Sequence, residues 1–158
     1  MSMDLDKRST IKNLCAWAVS FKLPNSNGEV FLDGDKKITI NNGELVTLID
    51  NGNVFFCGTG DGNHAKIYIE NADVRKHVGF ESEDGKTKQF VLDDEECQKI
   101  FDLKTLSTFK KHVEEKVLLN HEKRKIMDYA RKIKLNDYDK IEFLISHCEL
   151  PFKEEKQE

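Results

Sequence analysis

Glycine stops at residue 85. All nine glycines of the 158-residue chain lie between Gly28 and Gly85, and from about residue 92 the sequence reads as charged amphipathic helix to its end. Ahead of that point, short β-branched and aromatic runs are separated by clusters of Gly, Asn and Asp, the pattern of strands closed by tight turns. Such a change of character predicts strands first and helices second. The expected class is therefore α+β, with an N-terminal antiparallel β-meander over about 15–92 followed by three or four helices over about 93–150. A chain of 158 residues, 38% hydrophobic and 34% charged, suits a single domain with a β-rich part at 10–92 and a helical part at 93–150. The polar end, 151–158, is expected to be disordered.

Within the first part, residues 1–8 are polar and expected to fray, and Ser9 or Thr10 can cap one helical turn. Cys15, Trp17, Val19, Phe21 and Leu23 alternate with less apolar neighbours and predict a strand over 15–23. Pro24-Asn25-Ser26-Asn27-Gly28 is a turn, and Glu29–Leu32 a strand. Asn41-Asn42-Gly43 between Lys37–Ile40 and Glu44–Ile49 reads as a hairpin. Further strands are expected at 53–57, 64–69 and 88–92, with Asn71 capping a short helix through Val78.

Asp93-Asp94-Glu95-Glu96 opens the helical part, because acids suit the positive end of a helix dipole. Helical periodicity then runs from Leu103 to Lys134, but its apolar stripe moves. Leu106, Phe109, Val113 and Val117 form one stripe; Ile126, Met127, Ala130 and Ile133 form another, rotated by roughly 100°. A kink or break is expected between them, near Leu118–His121. Asn136-Asp137 starts a last helix carrying Tyr138, Ile141, Ile145 and Cys148 on one face, and Pro151 stops it.

The formal net charge of −4 gives no global pull toward nucleic acid or an anionic membrane. No apolar run approaches a bilayer span, and the acidic start Met1–Asp6 lacks the features of a signal peptide, so a cytoplasmic location is expected. Cys15, Cys57, Cys97 and Cys148 are widely spaced, which predicts free structural thiols and no metal site. No cofactor fingerprint is present, so no cofactor is expected.

Two local patterns carry the candidate sites. Gly58, Thr59, Gly60, Asp61, Asn63 and His64 form a loop with glycines at alternate positions, whose N–H groups are candidates for wrapping an anion or meeting a partner. A phosphate loop needs a helix to follow, and here a strand is expected, so a glycine-rich turn is the simpler account. Arg75 and Lys76, with His77, make a small basic knob. The second pattern is the helical stretch 104–134, with ten basic residues against four acidic ones. Within it Lys110, Lys111, Lys123, Arg124, Lys125, Arg131 and Lys132 are candidate phosphate contacts. Glu122 and Asp128 lie three or four residues from several of these bases and are expected to pair with them.

Short, rich in lysine and asparagine, and without a catalytic signature, the chain resembles in style small phage or mobile-element proteins that block host machinery. The expected function is a cytosolic, non-enzymatic binding protein, an inhibitor or modulator of a host macromolecule. Its expected partner is a protein, with self-association into a homo-oligomer expected from the shifted apolar stripe. The competing expectation is nucleic-acid or nucleotide binding through the basic helix 104–134 and the loop 58–63, and a third is an enzyme centred on Asp61, His64 and Cys57.

Overall fold

The first strand alternates, but two of its three inward residues are polar. In the computed structural model, which describes residues 4–152, Ser9, Ile11 and Asn13 point inward from strand β1 (Arg8–Asn13) and are all buried. Asn13 is wholly buried because each polar group has a partner. Its Nδ2 donates to the carbonyls of Trp17, Leu32 and Asp33, and its Oδ1 accepts from Cys15 N. Hydropathy hides such an alternation, so the helical turn expected at Ser9 is replaced by a strand. The same side chain bends the following chain, and the long strand expected at 15–23 shortens to β2 (Val19–Lys22), leaving Trp17 44% exposed.

Strand β2 pairs with β3 (Glu29–Leu32) as a hairpin, with Val19 and Phe21 facing inward opposite Leu32 and Val30. The turn between them holds Asn27 at φ 59, a left-handed conformation that asparagine tolerates. Strand β4 (Lys37–Asn41) and β5 (Ile67–Ile69) flank β1 in the order β4-β1-β5, antiparallel throughout. The α+β class and the antiparallel pairing hold; the sequential order of a meander does not, since β1 is central.

Two expected strands are helices. Asn41 Oδ1 accepts from Gly43 N at 2.8 Å, capping α1 (Asn42–Asp50) instead of closing a hairpin. Leu45, Leu48 and Ile49 then form its buried face. Asn53 caps the short α2 (Val54–Cys57) in the same way. Asn71 caps α3 (Ala72–His77) as expected. Residues 88–92 form no strand: Phe90 N donates to the side-chain Asn63 Oδ1 and Phe90 O accepts from His64 N, so a side chain replaces one rung of a ladder. The start of the chain is tied down rather than frayed from Asp4 onward, because Asp4 O, Leu5 O and Lys7 O accept from the Asn42 amide, Gly43 N and Asn42 N. Residues 1–3 lie outside the described residues.

Internal contacts divide the chain between Val91 and Leu92 into two compact units, at the place where the sequence changes character. The core of the first unit gathers Ile11, Phe21, Val30, Leu45, Phe56, Ile67, Ile69 and Val74. Each fully buried side chain of this kind contributes about 1.5–3 kcal/mol of transfer free energy. Phe21 meets Phe56 edge-on, with ring centroids 5.4 Å apart.

Among its described residues the second unit holds four helices: α4 (Asp94–Phe101), α5 (Leu106–Lys116), α6 (Asn120–Lys132) and α7 (Tyr138–Cys148). Asp93 caps α4 through Glu96 N, and Asp137 caps α7 through Lys140 N. The expected break lies at Val117–Leu119, where Glu122, itself fully buried, accepts from Leu118 N and Leu119 N at 3.2 and 3.1 Å. That break reorients the chain, and Phe109, Val113, Val117, Ile126, Met127 and Ala130 of the two stripes are all 0% exposed, whereas Ile133 remains 38% exposed. At the far end Arg131 donates to Pro151 O and Phe152 O, which fixes those two residues; 153–158, where the disordered tail is expected, lie outside the described residues.

Candidate functional site

The glycine loop is closed on itself. Thr59 N donates to Asn63 O, Gly60 N and Gly62 N both donate to Cys57 O, and His64 N donates to Phe90 O. Asp61 turns its carboxylate inward to accept from Asn63 N, Asn63 Nδ2 and Thr59 Oγ1, each at 3.0 Å. The Asn63 N–H, with help from the Thr59 hydroxyl, holds the Asp61 carboxyl below its ordinary range. Gly62 O accepts from Gln89 Nε2 and Asn63 Oδ1 from Phe90 N, which anchors the loop to the 89–90 segment.

Glycine is needed here for close approach. A Cβ on Gly58 (φ 56) would sit 2.1 Å from Asn63 O, and one on Gly62 (φ 88) 2.5 Å from the Phe80 ring. His64 itself takes φ 62 and lies edge-on to Phe90, ring centroids 5.1 Å apart. So Gly58, Thr59, Gly60, Asp61, Asn63 and His64 do come together, but their polar groups answer one another. At least four of the amides expected to wrap an anion already have acceptors.

The basic knob also turns inward at Arg75. Its Nε pairs with Glu81 Oε2 at 2.9 Å, its Nη1 donates to Ile69 O and Glu70 O, and its guanidinium lies 4.9 Å from the Tyr68 ring centroid. With both side chains of the pair only 11% exposed, Arg75 staples α3 to the end of β5. Lys76 is half-buried and His77 exposed beside it.

Of the seven candidate phosphate contacts, four engage carboxylates of their own unit. Arg124 Nε contacts both Asp128 oxygens at 3.1 Å, and Arg131 Nη1 joins the same carboxylate at 2.8 Å. Lys125 and Lys132 reach Asp94, at 2.6 and 3.7 Å. Lys110 lies 5.5 Å from the Phe143 ring centroid, Lys111 is exposed, and Lys123 is half-buried. Glu122, expected to pair across the surface, is instead buried at the helix start.

The four thiols are free and buried. Burial pushes Cys97 up to about 12 and Cys15 and Cys148 to about 11, and raises Cys57 as well. Burial thus disfavours the thiolate form at all four. Among the described residues no group of three His, Cys, Asp or Glu side chains could hold a metal ion, and no helix is long and apolar enough to cross a membrane.

The feature that sequence reasoning missed is the outer edge of β4. A strand at 44–49 would have covered it; because that segment is α1, β4 ends the sheet. Asn42 N donates to Lys7 O at 2.7 Å and Asn13 N to Lys36 O at 2.9 Å. Antiparallel pairing alternates every second residue, so positions 36, 38, 40 and 42 face β1. Lys37 and Thr39 therefore turn their N–H and C=O outward. A groove of about 430 Å³ runs along this edge, lined by Leu23, Val30, Ile38, Thr39, Ile40 and Glu44, with Arg8, Ser26 and Asn41 at its margins. Residues from both faces of β4 line it, as an edge requires. Glu44 is 6% exposed and accepts from Asn25 N at 3.0 Å; Ile38 remains 39% exposed although it pairs with the wholly buried Ile11. The available signal was the spacing of Leu45, Leu48 and Ile49, which is helical, and it was outweighed by Asn-Asn-Gly.

Neither a protein-family model, nor a curated protein, nor a solved structure matches the chain.

Proposed function

We propose that this chain is a small, non-enzymatic binding protein that occupies a protein partner and so inhibits or modulates it, through a contact surface on its first unit. The observation that supports the reading is the groove at the open edge of β4, where outward backbone groups lie beside an exposed isoleucine. The two stretches with chemical promise, the glycine loop and the basic helix, direct much of their polarity to their own neighbours. Exposed apolar side chains on the same unit, Phe31 at 70% and Trp17 at 44%, extend the surface a partner would cover.

The test places a photo-crosslinking side chain at Ile38 or Phe31 in one series and at Lys111 or Lys123 in another, in the native host. A discrete protein adduct from the first series only is the expected result. A nucleic-acid adduct from the second, with none from the first, would replace this reading with nucleic-acid binding through the helices.

A further inference from the structure

Resting on the protein-binding reading, we infer that the partner enters as an extended peptide segment that adds a strand to β4. The segment carries a branched apolar side chain facing inward and an acidic side chain on the outer face. Three observations specify this occupant. Lys37 and Thr39 present outward N–H and C=O groups two residues apart, the spacing at which a neighbouring strand exchanges its bonds. Inward-facing positions of an added strand would meet Ile38, Ile40, Val30 and Leu23, an apolar pocket whose volume of about 430 Å³ suits side chains. On the outer face Arg8 is exposed and has no ion pair among the described residues, so an acidic residue is favoured there.

A second copy of the chain is the obvious competitor, because open edges pair with one another. Shape argues against it. A two-fold interface sets a patch against itself, and here the patch is a concave groove with the β2–β3 hairpin as one wall. Two grooves face to face would leave both unfilled, whereas a single extended strand fits one.

The test uses a displayed library of random peptides as the probe, selected on the full-length protein, with amide chemical shifts mapping the site. Expected are enriched sequences with apolar residues at alternate positions and an acid between them, shifting resonances of residues 37–41. Thr39→Pro removes the outward N–H without touching a bond of the native sheet, since proline is accepted at such edge positions. It should weaken the selected peptides about tenfold or more, while circular dichroism and melting stay unchanged. Ile38→Asp, which sets a charge against the peptide's inward apolar side chain, should weaken them independently.

Peptides that bind Thr39→Pro as well as the parent, or that shift only α5 and α6, would overturn the inference. So would a dimer in sedimentation that Thr39→Pro dissolves, which would assign the edge to a second copy. If the library yields nothing while protein adducts still form from Phe31, strand addition fails and the binding reading stands. Loss of both results removes both.

Discussion

The glycine loop Cys57–His64 and the edge of β4 are both surface segments rich in backbone polar groups, yet they dispose of them in opposite ways. In the loop, Thr59, Gly60, Gly62, Asn63 and His64 donate to acceptors within the loop or on Phe90, and Asp61 completes the closure. On β4, the register leaves Thr39 with its N–H and C=O turned away from β1, its one partner strand among the described residues. Exposure does not separate the two segments. Hydrogen-bond closure does, and it marks the loop as scaffold and the edge as available surface.

The sharpest way to break this contrast is at Gly58. Gly58→Ala should destabilise the protein by about 3 kcal/mol, because the new methyl meets Asn63 O at a positive φ. Gly60→Ala also has positive φ but open space around it, and should cost only about 1 kcal/mol. Urea denaturation of the pair measures the difference, and equal losses would mean that the loop is not tightly closed. Next in size, Arg75→Met should cost about 2 kcal/mol in the same assay, since it strips Glu81 and two carbonyls of a charged donor.

A smaller effect comes from pH. The Asp61 carboxyl sits below its ordinary 3.8 when folded, so its ionised form stabilises the folded loop at neutral pH. That contribution fades as pH falls through the folded value. Asp61→Asn should lower stability at pH 7 by only roughly 0.5 kcal/mol, because solvent screens so exposed a group. The difference from the parent should vanish at low pH, and a gap that widens on acidification would contradict the sign. Smallest of all, Thr39→Pro should change stability by less than about 0.5 kcal/mol. A large loss would mean that the Thr39 N–H is bonded after all and that the edge is closed.

How far the sequence led can be read from particular residues. The junction near residue 92, the caps at Asn71, Asp93 and Asp137, the strand Glu29–Leu32 and the helix break near Leu118 were all legible, because local side-chain chemistry decides them. Asn41-Asn42-Gly43 misled, since an asparagine accepting an amide two residues on serves a hairpin turn and a helix N-cap equally well. Strand β1 was hidden because Ser9 and Asn13, though polar, are its inward residues; their bonds to distant partners such as Asn42 and Leu32 are tertiary facts. The groove was invisible for the same reason. It exists only because a segment read as strand is helix, so no motif within Lys37–Asn41 announces it. For the glycine loop, sequence showed the right residues together but not which acceptors their amides had found.

Residue-resolved hydrogen exchange on the full-length protein tests the central contrast most directly. The Thr39 amide should exchange at the rate of open chain while Ile38 and Ile40 on either side are protected, and Asn63 and His64 should be protected as well. Protection at Thr39 equal to that of its neighbours, or rapid exchange at Asn63 and His64, would contradict the assignment of the edge as open and the loop as closed.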